Sequence, residues 1–366
     1  MTTLESEALR IPNSTSAATP IGPEGTGRVL KIVNGPEKKS VKHDHVDFTT
    51  RWSLLDLENG SSVSGSRFYY LQYELALLEI ALVNYTMQML VRKGWIPTLP
   101  PDLVRREFVH ACGFQPRDVE GTNSQVYEVA NSELALVGTA EIPLASMYHS
   151  QELSNLSQPL KHVAFGHAFR TEAGGSGLSI RGLYRVHQFS KVELFVVCQP
   201  DQADAVFDEI IELQEELYSS LGLNFRILEI PSEDLGAPAH RKIDMEAWMP
   251  GRITSESSQP GSWGEISSTS NCTDYQARRL GIRYRDPATK EKRFAFTLNG
   301  TAAAIPRLLI AIIEQHQTED GQAVRIPQPL QPFMMGMTTI PDHAIFPNRK
   351  EIVTEEATNA KKSPTK

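Results

Sequence analysis

Charged and aromatic residues recur at every second position within residues 169–193, a stretch that otherwise has the composition of β-strands. A glycine-rich segment, GGSG, divides this stretch into two halves. Successive side chains of a strand point to opposite faces, so Arg170 and Glu172 share one face of the first half. In the second half, the residues that share a face are Phe189, Lys191 and Glu193. The pattern predicts an antiparallel hairpin with charged groups on one face, and it requires a fold built on a sheet.

The residues of this hairpin leave two interpretations open. A guanidinium can hold a phosphate through paired hydrogen bonds, an aromatic ring can stack on a base, and a carboxylate can hold an amine. The set therefore suits a nucleotide together with a cationic small molecule. The alternative is a surface hairpin whose charges pair with one another. Glu193 lies in the apolar segment 192–197, so it either meets a buried partner or ligand, or belongs to an edge strand that faces water.

Charge and cysteine content exclude several classes of protein. The chain carries 36 basic and 44 acidic side chains, a net charge of −8, which argues against a wholly basic nucleic-acid coat protein. A local basic groove remains compatible with this balance. The three cysteines, Cys112, Cys198 and Cys272, are far apart, which excludes a disulfide framework and favours an intracellular, reducing compartment. No apolar run approaches the roughly 18 residues of a transmembrane helix.

Several common catalytic motifs are missing from the sequence. It contains no Gly-Lys pair of a Walker loop, no H-E-x-x-H metalloprotease motif and no G-x-S-x-G nucleophile elbow. The tripeptide His43-Asp44-His45 is either a metal-binding element or a solvated polar loop. Cys272 has no base beside it in the sequence and is interpreted as a small buried residue.

Hydrophobic periodicity predicts two long helices, over 68–92 and over 203–221. Gly94 is expected to end the first helix, and the proline-rich segment 95–101 is then expected to lie extended at a sheet edge or an interface. Asp201 is expected to cap the start of the second helix.

A third helix is predicted to start near Ile305, because Pro306 is tolerated only in a first turn.

Composition divides the chain into three regions. Residues 1–45 are expected to form a flexible segment, 46–340 a folded domain of periodic segments and short turns, and 341–366 a disordered tail.

Five ordered segments resemble a known family. The hairpin of residues 169–193 strongly resembles motif 2 of the class II aminoacyl-tRNA synthetases, in the form of their seryl branch. Residues 94–101 look like motif 1 and residues 298–307 look like motif 3. Residues 139–141 and 264–268 resemble the substrate and metal segments of the seryl branch. The resemblance covers roughly residues 50–335 and implies an α+β fold, an antiparallel sheet flanked by helices.

The resemblance implies an activity as well as a fold. Members of the seryl branch activate L-serine with ATP and transfer it to tRNA(Ser). The resemblance implies a homodimer, with Pro101 at the dimer interface, and no membrane association. It implies Mg²⁺ as the metal, with Glu265 and Ser268 as its protein ligands.

The resemblance also carries residue roles onto this sequence. Arg170, Glu172 and Arg307 are the expected catalytic residues. The expected ATP-binding residues are Arg170, Glu172, Arg185, Phe189, Lys191, Glu265, Ser268 and Arg307. The expected serine-binding residues are Thr139, Glu141, Arg170, Glu193, Asn299 and Thr301. In these roles Arg170 holds the α-phosphate and the serine carboxylate, and Phe189 stacks on adenine.

One departure from the family pattern leaves alternatives open. The family carries a helical arm that grips tRNA, and residues 8–13 look like the segment that follows it, so either the chain is truncated or the enzyme dispenses with the arm. The rivals are an arm-less adenylating enzyme that loads a carrier protein, and a non-catalytic paralogue. Segments 233–238 and 244–251 look like those of organellar and bacterial-type enzymes, which favours a mitochondrial location over a cytoplasmic one.

Overall fold

A computed structural model of the chain describes residues 7–35, 40–114, 125–154, 156–172, 181–253 and 261–348. Its strands are β1 (Arg28–Val33), β2 (Leu55–Asp56), β3 (Tyr70–Leu71), β4 (Ile96–Thr98), β5 (Leu103–Arg105), β6 (Leu134–Leu136), β7 (Glu152–Leu153), β8 (Leu160–Phe169), β9 (Gln188–Cys198), β10 (Phe225–Glu229), β11 (Arg241–Met249), β12 (Ser262–Asn271), β13 (Arg283–Arg285), β14 (Lys292–Phe294), β15 (Phe296–Ala304), β16 (Val324–Arg325) and β17 (Thr339–Ile340). Its α-helices are α1 (His45–Arg51), α2 (Leu57–Ser64), α3 (Tyr73–Arg92), α4 (Arg106–Ala111), α5 (Glu141–Ser146), α6 (Ala203–Ser220), α7 (Tyr275–Leu280) and α8 (Ile305–Gln315). Short 3-10 turns lie at Pro200–Gln202, Ser232–Asp234 and Gln328–Met334.

Eight strands form one central sheet in the order β1-β10-β11-β12-β15-β9-β8-β4. All neighbouring pairs are antiparallel except β4 and β8, which run parallel. Pro97 lies in β4 at the edge of the sheet, where a residue without an N–H group is tolerated. The predicted α+β fold, with its antiparallel sheet flanked by helices, is confirmed, and one edge strand adds a parallel pair.

Strand β9 divides the core into two layers. Val192, Leu194 and Val196 belong to a cluster with residues of α3, α6 and α8, whereas Phe195 and Val197 belong to a second cluster with residues of α5 and α7. Both faces of β9 are therefore buried, and each fully buried side chain of this size contributes about 1.5–3 kcal/mol. The interpretation of β9 as an edge strand is wrong. Glu193, at 2% exposure, lies in the interior of the sheet.

Helix α3 starts five residues later than predicted. Residues 70–71 form β3, which pairs with β2, so the helix begins at Tyr73. By length and composition α3 would pass for a membrane span. Leu75, Leu78 and Leu82 are nevertheless fully buried in the core. Gly94 follows the helix at φ +88°, a conformation that glycine adopts without strain.

The ends of the other predicted helices test the capping assignments. Helix α8 begins at Ile305, as predicted. Helix α6 is preceded by the 3-10 turn Pro200–Gln202. Asp201 lies inside that turn and, contrary to the prediction from the sequence, does not cap α6. The side chains of Gln199 and Gln202 form the capping box instead.

The N-terminal region contains a strand that the sequence interpretation missed. β1 lies within residues 1–45 and pairs with β10 at one edge of the central sheet. Past residue 340, the ring of Phe346 contacts Tyr73 at 5.3 Å between centroids. Residues 349–366 of the predicted tail lie outside the described residues, and the three domain boundaries stay a prediction.

Candidate active site

The predicted hairpin is formed by β8 and β9. Phe169 pairs with Gln188, and the backbone N–H of Arg170 donates to the carbonyl of His187 at 2.9 Å, so the two segments stay paired past the strand end. This pairing places Arg170 beside Phe189, with the guanidinium carbon 5.4 Å from the ring centroid. Residues 173–180, in the turn, are outside the described part of the chain.

A cavity of about 490 Å³ opens beside this hairpin. Seven of the predicted ATP-binding residues line this cavity: Arg170, Glu172, Arg185, Phe189, Lys191, Glu265 and Arg307. Arg170 donates from Nε to the carbonyl of Gly138 at 3.2 Å. Burial lowers the pKa of Arg170, and the charge of Glu172 partly opposes that shift. The terminal nitrogens of a buried guanidinium are suited to bind an anion.

Glu172 and Arg185 form an ion pair at the wall of the cavity. Glu172 has a φ of +46°, an uncommon conformation for a residue with a side chain and one that is found at functional sites. Nε of Arg185 is buried and has no hydrogen-bond partner among the described residues. The pair therefore leaves donor capacity for a ligand.

Arg307, at the start of α8, connects three segments around the same cavity. Its Nη1 lies 3.1 Å from the carboxylate of Glu265, and its Nε donates to the carbonyl of Tyr184 at 3.3 Å. Its guanidinium also lies over the ring of Tyr184, 4.8 Å from the centroid. Burial would lower the pKa of Arg307, but its negative neighbours, Glu265 above all, outweigh that effect and raise the pKa of Arg307.

A pair of carboxylates and a hydroxyl lie on β11 and β12. Burial would raise the pKa of Glu265, but the charges of Arg307, Lys242 and Arg170 lower it to about 2. Across the strand pair, Asp244 lies opposite Ser268. Lys242 lies 3.1 Å from one oxygen of Asp244, whereas the other oxygen is buried without a hydrogen-bond partner in the described part of the chain.

The ammonium of Lys191 lies where the two predicted groups of residues meet. It donates to Thr139 Oγ1 and lies 2.7 Å from a carboxylate oxygen of Glu193. The hydroxyl of Thr301 donates to the same oxygen at 3.3 Å. Lys191 is 5% exposed, and burial lowers its pKa. Although Lys191 is predicted to bind ATP, its contacts in the structure are to the predicted serine-binding residues.

Glu141 is the second carboxylate of the predicted serine-binding group. One of its oxygens accepts from Asn299 at 2.8 Å and from Gln276 at 2.5 Å. Burial and the nearby charge of Glu193 raise the pKa of Glu141 to about 7. Nδ2 of Asn299 also lies 3.5 Å from the sulfur of buried Cys272, so this cysteine contacts a predicted serine-binding residue.

A second, larger cavity of about 1210 Å³ lies beside Glu141 and Asn299. Residues 233–239 form one wall of this cavity. The N-terminal segment fastens that wall, because the backbone N–H of Asn13 donates to the carbonyl of Ala237 at 2.8 Å. The side-chain amide of Asn13 reaches the carbonyls of Pro238 and Cys272 at 2.9 and 2.8 Å.

Two further contacts hold the same N-terminal segment. The N–H of Ser16 donates to the carbonyl of His240 at 2.9 Å. Arg279, in the last turn of α7, donates to the carbonyl of Leu9 at 2.6 Å. The segment from Leu9 to Ser16 is thus bound to two stretches of chain that flank the cavity.

The structure brings the predicted ATP- and serine-binding residues into two adjacent groups, and their roles stay predictions. Pro101, by contrast, lies on the exposed surface beside β4. Asp244, Gln276 and Tyr184 were assigned no role from the sequence. Asp244 and Tyr184 nevertheless lie inside the segments 244–251 and 169–193, which resemble the family, and Gln276 follows the segment 264–268.

Comparison with known proteins supports this arrangement. Residues 125–316 match the model of the tRNA synthetase class II core domain for glycine, histidine, proline, serine and threonine. This match covers more than half of the chain and includes most of the residues described above.

Two similar sequences and one similar structure illustrate the relation to seryl enzymes. Serine–tRNA ligase of Dictyoglomus turgidum is 45% identical over 90% of this chain and 75% of its own length. The mitochondrial serine–tRNA ligase of Schizosaccharomyces pombe is 43% identical over 89% of this chain and 67% of its own. The seryl-tRNA synthetase of Pyrococcus horikoshii, solved with ATP, superimposes with a TM-score of 0.82 at 36% identity, over 92% of this chain and 77% of that one. The chain therefore belongs to the seryl-tRNA synthetases, within the class II aminoacyl-tRNA synthetases.

Proposed function

We propose that this protein is a serine–tRNA ligase, which activates L-serine with ATP and transfers it to tRNA(Ser). The observation that carries the proposal is the pair of adjacent groups in one site. Arg170, Arg185 and Arg307 offer cations to a triphosphate, and Glu141 and Glu193 offer carboxylates to an ammonium. Membership of the family supplies the order of the two steps.

In the first step, an oxygen of the serine carboxylate attacks the α-phosphorus of ATP. The bond between the α-phosphorus and the bridging oxygen breaks, and pyrophosphate leaves with the electron pair. Arg170 faces both reactants from the hairpin, so its guanidinium stabilises the charge that develops on the α-phosphate oxygens. The residues position the reactants, and no protein nucleophile is required.

In the second step, a ribose hydroxyl at the tRNA end attacks the carbonyl carbon of seryl-adenylate, and AMP leaves. The cavity of about 1210 Å³ beside Glu141 has room for an incoming acceptor end. Its wall, residues 233–239, is held by the N-terminal segment. The rival function, loading of a carrier protein, has no observation in its favour.

Serine recognition follows from the groups that surround Glu193. Thr301, Glu193 and Lys191 form a chain of hydrogen bonds that the hydroxyl and ammonium of serine would join. A site that bonds a substrate hydroxyl rejects an analogue without it, because buried polar groups are then left unpaired. Alanine is therefore a poor substrate in this proposal.

The residues of β11 and β12 fit a magnesium ion. The donors are oxygens, as Mg²⁺ requires, and a buried oxygen of Asp244 has no hydrogen-bond partner in the described part of the chain. Glu265 and Ser268 would hold the ion, with Asp244 facing Ser268 across the strands. The bound ion would neutralise charge on the ATP phosphates.

A homodimer through the β4 edge is part of the proposal. Large apolar side chains are exposed along this side, including Leu99 at 80%, Ile80 at 55% and Ile96 at 47%. Pro101 lies in the same segment, in the position where the family has its interface proline. Exposed large apolar side chains that lie on one side of the molecule favour a contact surface there.

We place the enzyme in the mitochondrion. The support is the resemblance of residues 233–238 and 244–251 to organellar-type enzymes, together with the similarity to the mitochondrial ligase of S. pombe. Imaging of the tagged protein with a mitochondrial marker tests this placement, and a diffuse cytoplasmic signal contradicts it.

ATP–pyrophosphate exchange with each of the twenty amino acids tests the proposed activity, with charging of tRNA(Ser) run beside it. The expected result is exchange with serine alone, together with charging. Exchange without charging would limit the function to serine activation. No exchange with any amino acid would overturn the proposal in favour of a non-catalytic protein.

A further inference from the structure

We call the cavity of about 490 Å³ the ATP cavity, and His45 contacts Leu183 in its wall. The tripeptide His43-Asp44-His45 suggested a metal-binding element or a solvated loop, and His45 belongs to neither. It is 7% exposed, so it does not belong to a solvated loop. Among the described residues, no group of three or more His, Cys, Asp or Glu side chains could hold a metal ion. Its neighbour Asp44 caps α1 by accepting from the N–H of Asp47 at 2.8 Å.

Both ring nitrogens of His45 have partners on other segments. Nδ1 lies 3.0 Å from a carboxylate oxygen of Glu314, near the end of α8, and the backbone N–H of His45 donates to the same oxygen at 3.2 Å. Nε2 accepts a longer hydrogen bond, 3.4 Å, from the N–H of Leu183. Because Nε2 accepts, Nδ1 carries the proton and donates to Glu314.

Glu314 extends this connection to a third segment. Its side chain is completely buried, and its second oxygen accepts from the N–H of Gly251 at 2.8 Å, just past β11. His45 and Glu314 therefore tie together α1, α8, the β11 end and the returning half of the hairpin loop. We call these two residues the His45–Glu314 clamp.

The clamp acts on the segment that carries ATP-site residues. Leu183 directly precedes Tyr184 and Arg185, which both line the ATP cavity. The Tyr184 ring is held between two guanidiniums, with Arg252 at 4.2 Å and Arg307 at 4.8 Å from its centroid. A shift at Leu183 therefore displaces the carbonyl of Tyr184, which accepts from Arg307.

Two further features show that the loop is built to fit the clamp. Gly182 has a φ of +65°, and a Cβ atom there would overlap with the ring of His45 and with Val46. Arg181 makes ion pairs with Asp44 and with Asp47, the second at 2.8 Å. The loop thus approaches α1 more closely than any residue but glycine allows at this position.

We infer that His45 and Glu314 are positioning residues for ATP, which hold Tyr184, Arg185 and Arg307 in the geometry that binds the nucleotide. Neither side chain lines the ATP cavity, so they act through the loop and through α8. The inference rests on the proposed function, because it assigns the clamp to the ATP half of that site.

The test uses His45→Ala and Glu314→Gln, with His43→Ala as the matched control. Glutamine at position 314 keeps the size of the side chain, but it removes the negative charge and replaces one of the two accepting oxygens with an NH₂ group. His43 belongs to the same tripeptide, and its ring contacts Arg51 at 3.2 Å. His45→Gln serves as the conservative variant, since a carboxamide can both donate and accept.

The measurements are the Kd for ATP by calorimetry without serine, and the KM values for ATP and serine in pyrophosphate exchange, below the Tm of each variant. We expect His45→Ala and Glu314→Gln to weaken ATP binding by about tenfold, because a small displacement of a group that positions a ligand is costly. The serine KM should change by less than about twofold, because the clamp does not contact that half of the site. His45→Gln should recover part of the affinity, and His43→Ala should leave it unchanged.

A purely structural role gives a different result. If the variants lower the Tm but leave the Kd for ATP unchanged, or raise both KM values equally, the inference is wrong. If the wild-type protein binds ATP but catalyses pyrophosphate exchange with no amino acid, only the proposed function is overturned. The calorimetric comparison of the variants still tests the clamp.

Discussion

Replacing Glu141 with glutamine is expected to stabilise the unliganded protein and to weaken serine binding. Glu141 is 7% exposed, and burial together with the charge of Glu193 raises its pKa from 4.5 to about 7. Gln276 and Asn299 both donate to the same oxygen of Glu141. A glutamine keeps an oxygen for these donors and removes the buried charge.

The magnitude follows from the pKa change. Ionised Glu141 is less stable in the folded than in the unfolded chain by about 3 kcal/mol, at about 1.4 kcal/mol per pH unit. Because the pKa is raised on folding, this cost is absent below about pH 4.5, grows as the pH rises, and is complete above about pH 7. Glu141→Gln should therefore raise the free energy of unfolding at pH 8 by up to about 3 kcal/mol, and by much less at pH 5.

Serine binding should change with pH in the opposite sense: it should strengthen as the pH rises, whereas the ionisation of Glu141 lowers the stability of the folded protein. The serine ammonium prefers the ionised carboxylate, and with a pKa of about 7 the ionised fraction of Glu141 falls about tenfold between pH 8 and pH 6. The serine KM of the wild type should rise by up to that factor over this interval. In Glu141→Gln the serine KM should be higher at pH 8 and should lack this dependence.

The assays are urea unfolding at pH 5 and pH 8, and pyrophosphate exchange across pH 6 to 8 with the ATP KM as internal control. Glu229→Gln is the matched variant. Glu229 is also fully buried but lies 2.7 Å from both Arg28 and Arg241, so the same substitution there should destabilise the protein. A stability gain at position 141 that is equal at both pH values would refute the reasoning, as would a serine KM of the wild type that does not change with pH.

Four further predictions concern the phosphate, serine, metal and dimer contacts. Arg170→Ala should lower kcat for exchange by about 100-fold or more with little change in Tm, and normal exchange would contradict the phosphate role. Glu193→Ala should raise the serine KM more than the ATP KM, and should cost about 3–5 kcal/mol of stability because Lys191 loses its buried partner; an unchanged serine KM rejects the assignment. Ser268→Ala should raise the Mg²⁺ concentration needed for half-maximal exchange, which a titration with magnesium and removal by EDTA would measure; an unshifted curve excludes this ligand. Leu99→Lys should shift the protein from dimer to monomer in sedimentation velocity, and a stable dimer would place the interface elsewhere.

Local patterns in the sequence predict much of this fold because they report directly on burial. The 3–4 spacing of leucines predicts α3, since one face of that helix is packed against the core. The apolar run 192–197 likewise predicts β9. It does not reveal whether the strand is central, because Glu193 is compatible with water or with a buried partner. Only the neighbours on either side, β8 and β15, decide that question.

The features that the sequence did not predict depend on contacts between distant segments. Asp244 faces Ser268 only because of the register of β11 with β12, which includes an irregularity next to Glu246. His45 meets Glu314 from 269 residues away. Family resemblance supplied the candidate site residues, but it could not supply these supporting contacts, since no short motif contains both partners.

The attachment of Asn13 has a consequence for the order in which the protein is made. Its partners, Pro238 and Cys272, are 225 and 259 residues further along the chain, and Arg279 reaches Leu9 over 270 residues. Synthesis proceeds from the N-terminus, so Leu9 to Ser16 leave the ribosome long before the segments they bind. Leu9 to Ser16 therefore remain without these partners until residues 237–279 have been made, and the cavity wall at residues 233–239 can be fastened only from then on.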